Sequence, residues 1–503
     1  MFVRKKQNTS GSISVQVVDK GSGRYKILKT MGSSSDADEV DRLIQQGHAW
    51  ISEYSGQTHL DFNDEKQLYS SLLSHIQQVT IAGTDLLLGN IYEEVGFNQI
   101  EEDLLRMLVL ARLCYPVSKL KTTEYLRTYH GVEVSEDMFY RYMDKLHAHH
   151  MKRVQELSYQ HTRQILGAHI HLVFYDVTTL YFEIDREDDL RKNGFSKDGR
   201  HQNPQIVLGL LVSIDGYPLA YDIFEGNKFE GHTMLPVLDE FKERYNIDTL
   251  IIVADSGLLS KANITELEQK GYEFILGARI KNEPVAMQER IFALNLADDQ
   301  SAVLTKANAN RLIITYSDKR AQKDAYNRKK GLEKLEKRVK NGKLTKANIN
   351  NRGYNKYLRL EGNVRVSIDK QKFEADARWD GLKGFVTNSK LPKQQVIDNY
   401  KQLWKIEKAF RIAKTDLKIR PIYHRLQPRI EAHICIAFMA YKIYKELERQ
   451  LKEKGSEWSP EKAIDIAKTI YSITLTTPLN NHEVQQTLIL NEEQKELSDL
   501  FKF

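Results

Sequence analysis

Cysteine is nearly missing: two occur in 503 residues. Cys114 and Cys435 lie in apolar, helix-patterned stretches far apart in sequence. A disulfide framework and a cysteine-rich zinc site are thereby excluded, and the pair reads as buried thiols in a reducing compartment. Long hydrophobic runs are missing too. No 18 consecutive apolar residues occur, and the opening MFVRKKQNTSGSISVQ lacks the apolar centre of a signal peptide. The expectation is a soluble cytoplasmic protein with no membrane partner. No P-loop, GxGxxG fingerprint, HExxH or paired CxxC is found, nor any tandem repeat or long low-complexity tract. An excess of one charge is also lacking, since a net +6 is too small at this length to argue for a nucleic-acid partner.

What the chain does have is apolar material, 41% of it, enough for two to four domains with cores of their own. Residues 1–60 read as a small β/α segment, with SISVQVVD and RYKILKTMG joined through Lys20-Gly21-Ser22-Gly23 in a hairpin-like pattern. Residues 61–165 are mainly helical. Within them SKLKTTEYLRTYHG and SEDMFYRYMDKLHAHH each begin with Ser and are separated by a Gly-containing turn. That pattern suits a DNA-binding helix-turn-helix or an ordinary helical bundle equally well. Residues 166–280 change to β-branched apolar runs, first hairpin-like and then alternating with helices, which predicts a mixed α/β sheet. Residues 281–388 interrupt that pattern, 389–450 return to long amphipathic helices, and 451–503 form a C-terminal helical region.

Charge is concentrated locally. Between Tyr400 and Arg429 nine Lys or Arg face two acids, and between Lys319 and Lys346 twelve face three. The second run reads equally as a solvated helix and as a binding surface.

The acids are informative by position. Asp176 ends the apolar run HLVFYD and Asp255 ends LIIVAD. Side chains at the C-terminal ends of neighbouring strands converge where α/β sheets bind ligands. In NYKQLWKIEKAFRIAKTDLKIRP, residues 399–421, a continuous helix would bring Tyr400, Leu403, Glu407, Arg411, Lys414 and Lys418 within about 80° of one another. One face would then offer a phenol, a carboxylate and three cations, with Trp404, Phe410 and Ala413 toward the buried side. The bland alternative is a buried Glu407–Arg411 ion pair at i+4. Three carboxylates gathered together repel one another unless divalent cations lie among them, and hard oxygen ligands suit Mg²⁺. Two such ions stabilise the attacking and leaving oxygens of a phosphodiester displacement, and adjacent Lys and Arg would hold the phosphates. The single histidines His232 and His433 carry no assignment.

With these residues in place, the chain resembles bacterial insertion-sequence transposases of the DDE type, and more narrowly the insertion-sequence-four superfamily. Its signature is Tyr-x2-Arg-x3-Glu-x6-Lys. Tyr400, Glu407 and Lys414 keep that spacing, and Leu403 stands where Arg is expected. The charge could come instead from Arg411, one turn on. FYDVTTLYFE, GYPLAYDIFEGN, IIVADSGLLS and RWDGLKGFVTN resemble further family segments, so the likeness spans about residues 100–450. It implies an RNase H-like α/β core with Asp176, Asp255 and Glu407 as catalytic metal ligands for two Mg²⁺, with Mn²⁺ able to substitute. A largely β insertion at 281–388 and a helical N-terminal DNA-binding region are also implied. The implied DNA-binding residues are Tyr400, Arg411, Lys414 and Lys418, with Trp379 either a counterpart of the family's base-stacking aromatic or a core tryptophan. The implied activity is metal-dependent cutting at terminal inverted repeats and strand transfer into target DNA, through a hairpin in related members, by a homodimer in the bacterial nucleoid. A nuclease that cuts without joining, and a silent DNA-binding regulator, are the alternatives.

Overall fold

The computed structural model describes every residue except 22, 56–69, 71–72, 168–169, 196–201, 259, 342–348, 350–352, 362–364 and 477–481. The centre of the expected N-terminal hairpin turn, Ser22, and the end of the basic run, 342–346, lie outside the described residues.

The chain divides into two compact units, Met1–Val79 with Ile473–Gln486, and Thr80–Ser472 with Thr487–Phe503. In the first, β1 (Phe2–Gln7), β2 (Ile13–Asp19) and β3 (Lys26–Ser34) form an antiparallel sheet, with α1 (Ala37–Ser55) packed on it. Val15, Val17 and Val18 are the buried apolar residues of its central strand. Strands β4 (Ile76–Ile81), β15 (Tyr471–Thr476) and β16 (Glu483–Leu488) make a separate sheet of order β16-β15-β4.

After short helical segments at Asp85–Gly89 and Asn90–Glu94, four longer helices follow in the second unit: α2 (Asp103–Cys114), α3 (Lys119–His130), α4 (Glu136–His149) and α5 (Met151–Leu166). Ser118 and Ser135 cap α3 and α4 by accepting from the backbone of Lys121 and Met138, and Gly131 ends α3 at φ 67°. These are the start and stop signals read from the sequence.

The central sheet follows: β5 (Leu172–Tyr181), β6 (Gln205–Ser213), β7 (Pro218–Glu225), α6 (Met234–Tyr245), β8 (Ile251–Ala254), α7 (Lys261–Gln269) and β9 (Glu273–Ala278). Strands β5, β6 and β7 form an antiparallel meander, while β8 lies parallel to β5 and β9 parallel to β8. The order β7-β6-β5-β8-β9 is that of an RNase H-like core. Both sides of β5 are covered, so its residues are buried nearly throughout, Thr178 and Thr179 included.

Residues 281–388 are not the largely β insertion expected. They hold α8 (Val285–Ala293), β10 (Ser301–Thr305), β11 (Arg311–Tyr316), α9 (Asp318–Lys340), β12 (Leu358–Glu361), β13 (Arg365–Ile368), α10 (Lys370–Asp376) and β14 (Leu382–Thr387). The three helices take more chain than the five strands, because the Lys-, Arg- and Glu-rich run of α9 has strong helix propensity. Strands β14, β11 and β10 continue the central sheet beyond β9, giving eight strands in the order β10-β11-β14-β9-β8-β5-β6-β7.

The remaining helices are α11 (Lys393–Lys401), α12 (Trp404–Thr415), α13 (Gln427–Glu453), α14 (Pro460–Ala467) and α15 (Glu492–Phe501). Helices α2, α4 and α5 pack on α13, so the helical segment before the sheet is a bundle built around a helix from the other end of the unit. Arg429 of α13 grips the Asp144 carboxylate of α4 with two hydrogen bonds of 2.9 and 2.8 Å. Of the basic residues on α3 and α4, Lys119 is buried, Lys121 pairs with Glu124, Arg141 with Asp137 and Lys145 with Glu102, while Arg127 is exposed.

Candidate active site

Side-chain alternation along two strands brings the aspartates to one face. Phe174 and Val253 belong to the core cluster that includes Tyr400, Ile406 and Phe410, whereas Tyr175 and Ala254 belong to the cluster on the opposite side. Asp176 and Asp255, two residues beyond Phe174 and Val253, therefore point toward α11 and α12. The parallel register ends with Tyr175 beside Ala254, so the two acids are the next pair along, on strands about 4.8 Å apart. Asp176 is half-buried and Asp255 exposed, at the rim where the apolar core gives way to solvent.

The third acid arrives differently from the expectation. The 399–421 segment is not one helix: α11 ends at Lys401, a tight turn at Gln402 and Leu403 follows, and α12 starts at Trp404. The turn lets Tyr400 and Leu403 stay in the core while α12 sets off along its own line. Tyr400, Leu403 and Phe410 are buried, but Trp404 is 53% exposed instead of buried. Glu407 is exposed and Lys414, two turns on, is half-buried. Lys418 is not on the helix face at all, since α12 ends at Thr415 and Lys418 adopts φ 45°. Trp379 is a core residue, packed on Phe292 with ring centroids 4.4 Å apart, and so is not placed to stack a base.

Tyr400 links the acids. Its hydroxyl donates to Asp255 Oδ1 at 3.3 Å. Burial pushes its pKa up, and the negative charges of Asp255 and Glu407 push it further the same way. Gly277 makes this reach possible: a Cβ there would stand 2.4 Å from the Tyr400 hydroxyl. The Lys383 ammonium lies 4.6 Å from the centre of the Tyr400 ring. Burial and then the nearby Arg320 lower its pKa, while Asp255 and Glu407 oppose that shift. Asp255, Glu407, Tyr400 and Lys383 thus form one electrostatic unit.

Beside them opens a crevice of about 470 Å³, lined by Asp255, Tyr400, Arg279, Lys281, Arg320 and Lys383 among others. Lys281 is held by Asp376 at 2.6 Å and Arg320 approaches Asp324 at 3.5 Å. Arg411, expected to replace the missing signature arginine, lines a different groove with Trp404, Lys405 and Lys408. The cations beside Asp255 therefore come from the turn after β9, from β14 and from α9. The sequence reading missed Arg279, Lys281, Arg320 and Lys383, although Arg320 stands in the basic run and Lys383 within RWDGLKGFVTN, both noted above.

The site offers hard carboxylate oxygens at an accessible rim, which fits a divalent cation and suits no soft metal. Among the described residues, no three of His, Cys, Asp and Glu already stand within metal-holding reach of one another. The two cysteines are buried, free thiols with pKa values pushed up to about 12, remote from this chemistry. His433 is fully enclosed beside Arg112, and burial lowers its pKa. No helix among the described residues is long and apolar enough to cross a membrane.

One family model, described as the transposase DDE domain, matches residues 171–443, more than half of the chain. No curated protein matches the sequence. Among solved structures, similarity is found to a piggyBac transposase synaptic complex with hairpin DNA, at 10% identity and TM-score 0.40, over 79% of this chain and 77% of that one. A Mos1 transposase paired-end complex with the left transposon end matches at 14% identity and TM-score 0.16, over 46% and 71%. A Mos1 mariner paired-end complex with Mn matches at 15% identity and TM-score 0.15, over 46% and 72%.

Proposed function

Because this chain belongs to the DDE transposase family, a membership carried by residues 171–443, we propose that Asp176, Asp255 and Glu407 are its catalytic carboxylates and act at the ends of an insertion sequence. The family activity is DNA transposition by metal-dependent cleavage and strand transfer. The observation that carries the residue assignment is the register: two aspartates are next neighbours on parallel strands, on the face that α11 and α12 cover.

Asp176 and Asp255 would hold divalent cations, and Glu407 would complete the set from α12. Two Mg²⁺ ions, replaceable by Mn²⁺, would stabilise the attacking and leaving oxygens of the displacement. The chain's own groups do the rest. Tyr400 fixes the Asp255 carboxylate, Arg320 and Lys383 attract the phosphate beside it, and Lys414 binds a terminal phosphate farther along α12. The partner is double-stranded DNA, at both element ends and at the target, and joining two ends calls for a homodimer. The signature spacing of Tyr400, Glu407 and Lys414 favours the bacterial insertion-sequence-four group, a setting at the nucleoid and a hairpin intermediate.

The test incubates purified protein with duplexes carrying the DNA that flanks its gene, with Mg²⁺ and with EDTA, and resolves products on denaturing gels. Metal-dependent cuts at both boundaries followed by joined products are expected. Cuts without any joined or hairpin species would make the protein a nuclease, and binding without cuts would make it a regulator.

A further inference from the structure

We propose that α9, in the segment between the second aspartate and Glu407, is a backbone track for duplex DNA leaving the active-site crevice. The inference rests on the transposase reading for the identity of that DNA. The track itself stands on three features of α9.

The first is its two-faced composition. Arg320, Lys323, Lys330, Lys334 and Lys337 fall within about 100° of arc on a helix of 100° per residue, and all five are exposed. Its acids, Asp318, Asp324, Glu333 and Glu336, lie outside that arc. An exposed tyrosine, Tyr326, flanks the stripe, and the Lys330 ammonium lies 5.6 Å from its ring centre.

The second is rigidity. The opposite face is fixed to the protein: Leu335 packs with Tyr357, Leu358 and Val366, and Arg328 pairs with Asp380. Tyr354 covers Gly331, where any Cβ would collide with its ring, and donates its hydroxyl to the carbonyl of Asn327 at 2.8 Å. At the start of the helix, Gly381 at φ 81° lets the turn before β14 pack on Tyr316 and Ala321. A stripe held this way needs little ordering when a ligand docks.

The third is continuity. Arg320, the first cation of the stripe, lines the crevice with Asp255, Tyr400 and Lys383. The helix runs on for 23 residues, about 35 Å, close to one turn of duplex DNA. The cations from Arg320 to Lys337 begin at the crevice and run about 26 Å along the helix, with its acids outside their arc, an arrangement complementary to a phosphate backbone and indifferent to base sequence.

The test is the salt dependence of binding to a generic 30-base-pair duplex, by fluorescence anisotropy between 50 and 200 mM salt. Compared are the full chain, K323Q/K330Q/K334Q/K337Q, and a control that removes the same charge from the C-terminal helices, K452Q/K454Q/K495Q/K502Q. Each phosphate contact contributes about 0.9 to the slope of log K against log salt. The α9 variant should therefore lower the slope by about 3.6, so that the unaltered chain loses roughly a hundredfold more affinity over this fourfold salt range. The control should change it by less than one contact. A drop below one contact for the α9 variant, or an equal drop for the control, overturns the track. End cleavage by the unaltered chain, measured in parallel, reports separately on the transposase reading. Cleavage with an unchanged slope sinks the track alone, and a reduced slope without cleavage sinks the catalytic reading alone.

Discussion

Tyr400 reaches Asp255 only because residue 277 carries no Cβ, and this close approach is open to a direct test. Gly277→Ala should push the tyrosine off the carboxylate and cost about 1–3 kcal/mol of stability through overpacking. In the Tyr400→Phe background, which lacks the hydroxyl, the same substitution should cost markedly less; equal costs measured by chemical denaturation would show that the hydroxyl is not the clashing atom. Leu403 gives a second prediction. It is buried, so Leu403→Arg, which restores the family signature, should lower the melting temperature and leave end cleavage no faster; a faster enzyme would mean that the position can open toward DNA. The cations that matter should be those in the crevice. Arg320→Ala and Lys383→Ala are each expected to slow single-turnover cleavage at least tenfold, and Arg411→Ala less than threefold. The reverse ranking would return the role to α12. Of these residues, the three acids and Tyr400 stood out in the sequence because each ends an apolar run or keeps a fixed spacing. Gly277, Arg320 and Lys383 did not, because only the sheet order brings β9, α9 and β14 to the same crevice.

Among elements, α12 shows what a periodicity argument misses. Counting 100° per residue through Gln402 and Leu403 assumes a helix that the chain interrupts there, and this misplaced Trp404 and Lys418 while leaving Glu407 and Lys414 on a common side. Helix α13 hides a different feature. Its Lys442 is fully buried and donates to the carbonyl of Ser158 at 3.0 Å and to Thr162, while the buried Glu446 accepts from Tyr217 at 2.8 Å and from Arg449. From sequence these charges read as solvent-facing positions of an amphipathic helix. Strand β7 adds a pH-dependent element. It forms one edge of the sheet, and burial chiefly pushes the Asp222 carboxyl up to about 6; the Ile223 amide and Arg244 oppose the shift, and Glu240 and Glu431 reinforce it. A carboxyl with a raised folded-state pKa favours folding while protonated, so stability should decline as pH rises from about 4 to about 6. Asp222→Asn should therefore stabilise the protein by up to about 3 kcal/mol at pH 7.5 and have little effect near pH 4. Denaturation curves at the two pH values that show equal effects would contradict this.

At the level of the whole chain, a mixed sheet in the second unit was foreseeable, since strand runs paired by hairpins and then alternating with helices leave few ways to build one sheet, and its RNase H-like order was implied by the family resemblance. The long-range arrangement was not. The 281–388 segment extends the sheet and contributes α9, and the helices before the sheet close on α13 from more than 250 residues away. Neither contact leaves a local signature. Under the proposed function, two neighbouring strands and one helix would present Asp176, Asp255 and Glu407 to divalent cations, with DNA held alongside by cations from the segment in between. Asp176→Asn, Asp255→Asn and Glu407→Gln should each abolish cleavage in gel assays and leave end binding within about threefold. The most direct measurement is anomalous diffraction from crystals of the protein with element-end DNA and Mn²⁺. The proposed assignment requires metal peaks bound by Asp176 and Asp255, with Glu407 as the further protein ligand and the peak it closes lost in Glu407→Gln. Peaks held by other residues, or metal bound without Asp176, would contradict it.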